Sequence, residues 1–303
     1  MKQDMFDIEV FRNDPRIFYS FARQVLPSTT AFSPTHAFLR LLQDKNKLLR
    51  VYTQNIDNLE QLAGVREDKL VQCHGSFATA SCMRCKLQVS GDEIREDVIN
   101  GVVPKCPACE AERERQQAQK KKSLKKRKRN ADWDDDDEDE DDNIIEGIMK
   151  VPRPPPNVLM TQPDITFFGE QLSKKFDYTL LGSPAYPDSG DVRKCDLLIC
   201  IGTSLKVAPV SELIGVLPAS VPQIYISKTP VTHIEFDTTF LGNCDDIIRD
   251  LVRRCGYILE HEKLEGGRSD IGEGVEWKEH QTGVYEIISE GNTPVVVEAS
   301  AEA

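Results

Sequence analysis

Two Cys-x-x-Cys pairs constrain the fold of this chain more than any other feature of its sequence. They are Cys82 with Cys85 and Cys106 with Cys109, and twenty residues separate the two pairs. Each pair can form a tight turn that presents two thiolates to one ion, and this spacing is typical of zinc sites. Four thiolates fill a tetrahedral coordination sphere, so the sequence predicts one structural zinc. The alternative is a set of unrelated buried cysteines.

The surroundings of the nine cysteines favour metal binding over disulfides. The N-terminal residues MKQDMFDIEVFRND contain no apolar segment of a secretory signal, and apolar runs such as LLICI are far too short to span a membrane. We therefore expect a reducing compartment, no membrane association and free thiols.

The formal charge of −12 is concentrated in one place. Residues 132–142 hold ten acidic groups, and without them the charge is only −2. Residues 120–129 (KKKSLKKRKR) precede this run and carry eight basic groups. Such a basic run indicates nuclear import or nucleic-acid contact, and its simpler interpretation is a solvated spacer. Because the acidic run can neutralise it within the chain, we expect no direct sequence-specific nucleic-acid binding.

Strands that alternate with helices predict an α/β fold built on a Rossmann-like parallel sheet. CDLLICIGTS (195–204) is apolar on both faces, as in a central parallel strand, and a helix, the strand QIYIS and the helix CDDIIRDLVRRCG follow it. Ligands of such sheets bind at the carboxyl ends of the strands, where QNID, CHG, FGE and GTS all fall.

The predicted organisation has a smaller zinc-binding and helical module beside the Rossmann-like domain, and two segments without regular structure. The segments are 1–35, helical part of the small module; 36–81, first Rossmann-like segment; 82–109, zinc-binding module; 110–160, disordered basic, acidic and Pro-rich insertion; 161–259, second Rossmann-like segment; and 260–303, disordered acidic tail.

His74 lies eight residues before the first cysteine pair and is not needed as a zinc ligand. A histidine at a strand end is either a hydrogen-bonded core residue or a group exposed in a cleft, and Gly75 modestly favours the cleft. We interpret the neighbouring Cys73 as a small buried hydrophobe, since nothing nearby in the sequence would lower its pKa.

Several of these segments together resemble the sirtuins, the NAD-dependent protein lysine deacylases, and especially their fungal silent-information-regulator branch. The resemblance covers roughly residues 5–258 apart from the insertion. Its motifs, in the order found in that family, are TQNIDNLEQLAG, VQCHGSF, the two cysteine pairs, PDITFFGE, CDLLICIGTSLKVAPVSELI and GNCDDI.

The resemblance implies a reaction and assigns its residues. In sirtuins the acetyl-lysine carbonyl oxygen attacks the nicotinamide ribose, and the products are free lysine, nicotinamide and O-acetyl-ADP-ribose. His74 matches the general base of that reaction. The positions that match cofactor contacts are Gln54, Asn55, Ile56, Asp57, Gly202, Thr203, Ser204, Ser227 and Cys244. Those that match the peptide-binding segments are Phe168, Gly169, Glu170, Lys206 and Val207.

The sequence departs from the family pattern in two places. Ser227 stands where many sirtuins have an asparagine that contacts the adenosine ribose. The Gly-Ala-Gly-x-Ser turn and Pro-Asp-Phe-Arg loop, which hold the NAD pyrophosphate, do not occur in this sequence. The resemblance therefore implies a sheet without its first βα unit, and we expect weak NAD binding by this chain.

Three functions remain to be separated. The first is an NAD-dependent histone deacetylase of the nucleus, which would take part in transcriptional silencing with other silencing proteins. The second is a catalytically weak, N-terminally truncated, zinc-stabilised module that binds acetyl-lysine peptides. The third, a nucleic-acid-binding zinc ribbon, is disfavoured because GDEIREDVINGVV between the cysteine pairs is acidic and apolar.

Overall fold

The computed structural model describes residues 4–26, 31–130 and 161–288, which form a mixed α/β protein. The helices are α1 Ile8–Asn13, α2 Pro15–Ala22, α3 Pro34–Asp44, α4 Leu59–Leu62, α5 Gly91–Ile99, α6 Pro107–Asn130, α7 Lys174–Leu181, α8 Leu213–Val216 and α9 Cys244–Arg254. The strands are β1 Val51–Thr53, β2 Leu70–Gln72, β3 Gly75–Cys82, β4 Gln88–Ser90, β5 Thr161–Ile165, β6 Leu198–Ile201, β7 Gln223–Ser227, β8 Thr238–Leu241, β9 Glu276–Gln281 and β10 Val284–Ile288.

The chain divides into two compact units. Unit 1 comprises Met1–Leu26 and Gly75–Gln171, and unit 2 comprises Pro27–His74 and Leu172–Ala303. These units are coarser than the six predicted segments, whose individual boundaries remain predictions. No helix within the described ranges is both long and apolar enough to cross a membrane.

Unit 1 is built on an antiparallel sheet in the order β4-β3-β5, with two capped helices. Asp14 accepts a hydrogen bond from the backbone N–H of Arg16, and Pro15 occupies the first position of α2, as the sequence predicts. Tyr19 is fully buried and donates a 2.6 Å hydrogen bond to the carbonyl of Thr161. Its ring packs against Phe11 and Phe18, and the same aromatic cluster continues through Phe6, Phe21 and Phe167.

Helix α6 corrects the predicted insertion at 110–160. The backbone is helical from Pro107 to Asn130, directly out of the second cysteine pair, whereas the rest of that segment lies outside the described residues. Residues 110–122 contain Ala, Glu, Gln, Lys and Arg, which are all good helix formers, and no Gly or Pro. The lack of apolar periodicity indicated disorder, but a helix that is exposed on all sides also lacks that periodicity.

The main sheet of unit 2 has the order β6-β7-β8-β10-β9. Strands β6, β7, β8 and β10 are parallel, and β9 pairs antiparallel with β10. Helix α9 buries Ile247, Ile248 and Val252 in a core that also contains Phe38 of α3. The parallel strands confirm the predicted α/β class.

Strand β6 lies at one end of this sheet rather than at its centre. Among the described strands it pairs only with β7, and each of its four residues is half-buried. Strands β1 and β2 form a separate parallel pair, and a cavity of about 1310 Å³ is lined by residues of both β1 and β6. The predicted central position of β6 is therefore wrong for the described residues.

The predicted disordered tail at 260–303 is also corrected in part. Residues 276–288 form a hairpin, β9–β10, that extends the sheet beyond β8. Gly283 adopts a φ of 81° in the turn, a conformation that favours glycine. The hairpin is held because Ile287 is buried in the core and Trp277 packs edge-on against Phe240. Residues 289–303 lie outside the described residues.

Candidate functional site

Four cysteine sulfurs of unit 1 converge as the sequence predicts. The sulfurs of Cys82, Cys85, Cys106 and Cys109 all lie within 4.8 Å of one another. The Cys82–Cys109 and Cys85–Cys106 pairs are 3.8 Å and 3.6 Å apart, which is far too long for disulfides. A tetrahedral ion with metal–sulfur bonds of about 2.3 Å requires sulfurs roughly 3.8 Å apart. The donor set therefore fits one structural zinc and contains no histidine.

The backbone of the first cysteine turn points toward the same centre. The N–H groups of Arg84 and Cys85 lie 3.4 Å and 3.5 Å from the sulfur of Cys82, so they support a negatively charged thiolate. Cys109 lies in the first turn of α6, and the carbonyl of Cys106 accepts from the N–H of Glu110. Helix α6 and the metal site therefore share residues.

The predicted catalytic and cofactor residues of unit 2 follow the ends of its strands. Gln54 and Asn55 follow β1, His74 lies two residues after β2, and the Gly202–Ser204 turn follows β6. Parallel strands direct their carboxyl ends the same way within each of the two sheets, and a hydrogen bond between Thr203 and Gln54 joins the end of β6 to the end of β1.

His74 is half-buried, and a backbone contact determines which ring nitrogen is protonated. Its Nδ1 lies 3.0 Å from the carbonyl oxygen of Gln54. A carbonyl only accepts hydrogen bonds, so the neutral ring carries its proton on Nδ1 and leaves the lone pair of Nε2 available. This arrangement suits a group that accepts a proton at Nε2.

The side chain of Gln54 links β1 to the turn after β6. Its Oε1 accepts a 2.7 Å hydrogen bond from Thr203 Oγ1, which in turn accepts from the N–H of Leu205 at 3.1 Å. Gly202 adopts a φ of 65°, and its N–H donates to the carbonyl of Ile226 at 2.8 Å. The turn is thus fixed by contacts from both neighbouring strands.

Two buried polar atoms beside the cavity have no hydrogen-bond partner among the described residues. They are Nε2 of Gln54, a donor, and Oε2 of Glu60, an acceptor, and both residues line the cavity. Asn55, Gly202, Thr203, Ser204 and Cys244 also line it. Unsatisfied donors and acceptors beside a cavity can pair with the hydroxyl and amide groups of a nicotinamide nucleotide. The residues present therefore fit the ribose and nicotinamide side of NAD.

The structure places the other predicted cofactor residues differently. Ile56, Asp57 and Ser227 do not line this cavity, and Asp57 instead accepts a 3.2 Å hydrogen bond from the N–H of Leu59 at the start of α4. Ser227 is buried at the end of β7, where its carbonyl accepts from Gly242. Burial raises the pKa of Cys244, which keeps its thiol neutral.

The same reasoning applies to Cys73. Its side chain is buried, and this burial raises its pKa to about 12. The interpretation of Cys73 as a small hydrophobe is confirmed.

The predicted peptide-binding residues lie in both units. Phe168, Gly169 and Glu170 follow β5 in unit 1, and Lys206 and Val207 follow the Gly202–Ser204 turn in unit 2. Phe168 is about half exposed, but its backbone N–H and carbonyl already bond to Phe6 and Ile8. The backbone of Gly169 makes no hydrogen bond to another described residue, so Gly169 is the better candidate for pairing with a peptide.

Two sets of supporting residues were missed from the sequence. The hydroxyl of the buried Tyr225 donates to the carbonyl of Thr203 at 2.8 Å. At the opposite end of β1, Asp191 accepts hydrogen bonds from Arg50 and Tyr52, and burial together with this carboxylate raises the pKa of Tyr52. QIYIS was predicted as a strand without a role for Tyr225, and no signal linked Asp191 to residues 139 and 141 positions away.

Comparison with known proteins identifies the family of this chain. A sequence model described as the Sir2 family matches residues 1–209. The chain is 42% identical over 300 residues to the NAD-dependent histone deacetylase SIR2 of Kluyveromyces lactis, covering 99% of this chain and 41% of that protein. It is 48% identical over 262 residues to the NAD-dependent histone deacetylase sir2 of Schizosaccharomyces pombe, covering 86% and 51%.

A more distant organism supplies a further relative. Over 262 residues the chain is 40% identical to the NAD-dependent protein deacetylase sirtuin-1 of Homo sapiens, covering 86% of this chain and 28% of that protein. The chain thus spans about half or less of the length of these curated relatives. With its four-cysteine cluster, its histidine at a strand end and a family match over most of its length, the chain belongs to the Sir2 family.

Proposed function

We propose that this chain carries the catalytic residues of an NAD-dependent protein lysine deacetylase. The observation that supports this most is the contact between His74 and the Gln54 carbonyl, which leaves Nε2 free to accept a proton. The relatives quoted above are named as NAD-dependent histone or protein deacetylases, which agrees with this proposal.

His74 is the proposed general base. When bound, NAD supplies the ribose carbon that the acetyl oxygen attacks and the nicotinamide that leaves. His74 Nε2 then accepts the proton of a ribose hydroxyl, and the Gln54 carbonyl stabilises the resulting imidazolium through Nδ1–H. A positioned base of this kind contributes roughly 10²–10⁴-fold to a rate.

The neighbouring residues position the reactants. The unpartnered Nε2 of Gln54 donates to the ribose, and Asn55 and the Gly202–Ser204 turn bind beside it. We further propose that Ile56, Asp57, Ser227 and Cys244 contact the cofactor. We also propose that the backbone of Gly169 and Glu170 pairs with an extended peptide, and that Lys206 and Val207 are further peptide-contacting residues.

The proposed substrates are acetylated histone tails, and the proposed location is the nucleus. The basic run 120–129 is a suitable nuclear import signal, and the histone deacetylase names of the relatives imply a chromatin role for those proteins. Silencing-complex proteins are proposed as further partners.

The test is deacetylation of an acetyl-lysine peptide, followed by mass spectrometry of the peptide and by release of nicotinamide. We expect slow turnover that requires NAD at about 1 mM or above, the upper end of ordinary KM values. His74→Ala should lower kcat by at least about 100-fold. NAD affinity and zinc content should change little in this variant, because His74 is not a metal ligand.

The peptide-binding alternative predicts a different result. Saturable binding of the acetylated peptide, with no turnover at any NAD concentration, would favour the binding module over the enzyme. Turnover that His74→Ala leaves unchanged would show that another residue is the base. Cys255→Ser, which alters an exposed cysteine outside both sites, serves as the control for preparation and folding.

A further inference from the structure

We propose that helix α6 is a basic arm that binds the phosphate backbone of double-stranded DNA without reading its sequence. The arm consists of Arg115–Arg129 within α6, and it begins about two turns after Cys109. This is a binding activity separate from deacetylation, and its ligand does not occupy the cavity of unit 2.

The first observation is that α6 lies exposed beyond its first turn, as far as the structure describes its side chains. Every residue from Ala111 to Lys122 is exposed, which covers more than three consecutive turns. A helix normally gains most of its stability from an apolar face that is buried against a core. Residues 111–122 have no such face, so this part of α6 is exposed to solvent along more than three turns.

The second observation is the charge of the arm. Residues 115–129 contain nine basic groups and no acidic one. At 1.5 Å per residue the arm is about 22 Å long, so it carries about one positive charge per 2.5 Å. Duplex DNA carries one negative charge per about 1.7 Å of its axis, and its major groove of about 12 Å admits a helix. The arm and the duplex therefore have similar charge densities, and the major groove is wide enough to admit the arm.

The composition of the arm disfavours other partners. It contains no aromatic residue on which unpaired bases could stack, so single-stranded nucleic acid is a poorer match. Its only strongly apolar residue is Leu124, so it has no apolar stripe to insert into a membrane or into a protein groove. Phosphate contacts from lysine and arginine require neither feature.

Two further features shape the binding. Helix α6, which carries the arm, starts at the four-cysteine cluster, and a helix fixed at its first turn avoids the unfavourable nucleation step. Residues 132–142 follow the arm after only two residues and hold ten acidic groups, so they compete with DNA within the same chain. We therefore expect moderate affinity that increases when the acidic run is neutralised.

The experiment measures fluorescence anisotropy of a labelled duplex of mixed sequence, about 20 base pairs long, as the full chain is added at several salt concentrations. The test variant is Lys121→Gln, Lys122→Gln, Lys125→Gln and Lys126→Gln together. The matched control is Gln116→Ala, Gln117→Ala and Gln119→Ala, which changes the same helix but no charge. A second control replaces the four lysines with arginine, which keeps the charge.

We expect the variant with four glutamines to bind the duplex at least about tenfold more weakly than the original chain. The slope of log K against log salt should become shallower by up to about 0.9 for each lysine replaced. The alanine and arginine controls should bind as the original chain does. Replacing the acidic groups of residues 134–142 with Asn and Gln should tighten binding. Circular dichroism and zinc content verify that each variant is folded.

Two outcomes would overturn the proposal. The first is a failure of the DNA contact: the duplex binds neither the original chain nor the variant with the neutralised acidic run. Equal binding of the duplex by the original chain and the glutamine variant counts as the same failure. The other is that polyglutamate of similar charge binds more tightly than the duplex, which would assign the arm to an acidic protein instead of DNA.

Discussion

The metal cluster of unit 1 and the proposed catalytic site of unit 2 are assembled in different ways. The four cysteines lie within 28 residues, and two short turns bring their sulfurs together. The catalytic residues come from three separate strand ends, and Gln54 alone contacts both His74 and Thr203. The first site depends on local spacing, whereas the second depends on the correct assembly of unit 2. Removing a metal ligand should therefore destabilise unit 1, whereas destabilising unit 2 should displace the proposed catalytic residues.

The largest expected effect comes from the metal ligands. Cys85→Ser removes a thiolate from an ion whose binding contributes on the order of 10 kcal/mol to the folding of small zinc domains. We expect loss of zinc and loss of the helical signal from α5 and α6. Zinc content and far-UV circular dichroism check this expectation.

The matched control for that variant is Cys255→Ser. Cys85 and Cys255 are both exposed, but only Cys85 belongs to the cluster. An equal loss of helical signal in both variants would show that the cysteines act through something other than zinc.

The second largest effect is expected when unit 2 loses the buried carboxylate of Asp191. In Asp191→Ala the guanidinium of Arg50 and the hydroxyl of Tyr52 lose their shared acceptor, to which they now donate at 2.8 Å and 2.9 Å. Asp191 is 5% exposed and Arg50 22%, so we expect a loss of about 3 kcal/mol in the free energy of unfolding.

Chemical denaturation measures that loss, and the zinc content should stay unchanged. Asp188→Ala is the control, because Asp188 is 81% exposed beside Arg193 and a surface ion pair contributes under about 1 kcal/mol. A loss below that limit in Asp191→Ala would contradict the assigned role of this pair.

The smallest effect concerns the attachment of the C-terminal hairpin. Burial would raise the pKa of Asp250, but hydrogen bonds from Arg254 and Trp277 outweigh burial and lower it below its usual value. Because the pKa of Asp250 is lowered in the folded protein, its ionised carboxylate stabilises the fold at any pH above the ordinary aspartate pKa of about 3.9. This stabilisation is lost as the pH falls through the lower, folded value.

We therefore expect the Trp277 contact to weaken in acid below about pH 4. Asp250→Asn should destabilise the fold by about 2 kcal/mol at neutral pH and flatten this part of the pH dependence. The measurement is Trp277 fluorescence in a Trp133→Phe background, since these are the only two tryptophans. An unchanged acid profile in Asp250→Asn would mean that another group controls the hairpin.

The parts of the molecule that sequence could predict are those fixed by local spacing. The cysteine pairs, the start of α2 at Asp14-Pro15 and the end of α4 before Gly64 each depend on a few neighbouring residues. The alternation of strands and helices was enough to indicate a parallel sheet. By contrast, the role of His74 came from family resemblance, because a lone histidine in this context is more often a hydrogen-bonded core residue than a catalyst.

The errors share a physical cause. Helix α6 has no buried face, so the periodicity that normally indicates a helix is absent although its residues favour one. In the C-terminal hairpin, Thr282-Gly283 between Trp277 and Tyr285 gave a usable turn signal, but acidic residues obscured the alternation. The position of β6 at a sheet end depends on which strands pair, and an apolar strand looks the same in either place.

The hairpin has a consequence for the direction in which this sheet can grow. Its outer strand β9 carries Glu276, Lys278 and Glu279, and such charges discourage another chain from pairing with that edge. The opposite edge is β6, whose residues Leu198–Ile201 are apolar and half-buried. A sheet with one charged border and one apolar border extends from the apolar side. Any additional strand, from this polypeptide or from another, is therefore directed to β6, beside the cavity that Gln54, Asn55 and the Gly202–Ser204 turn line.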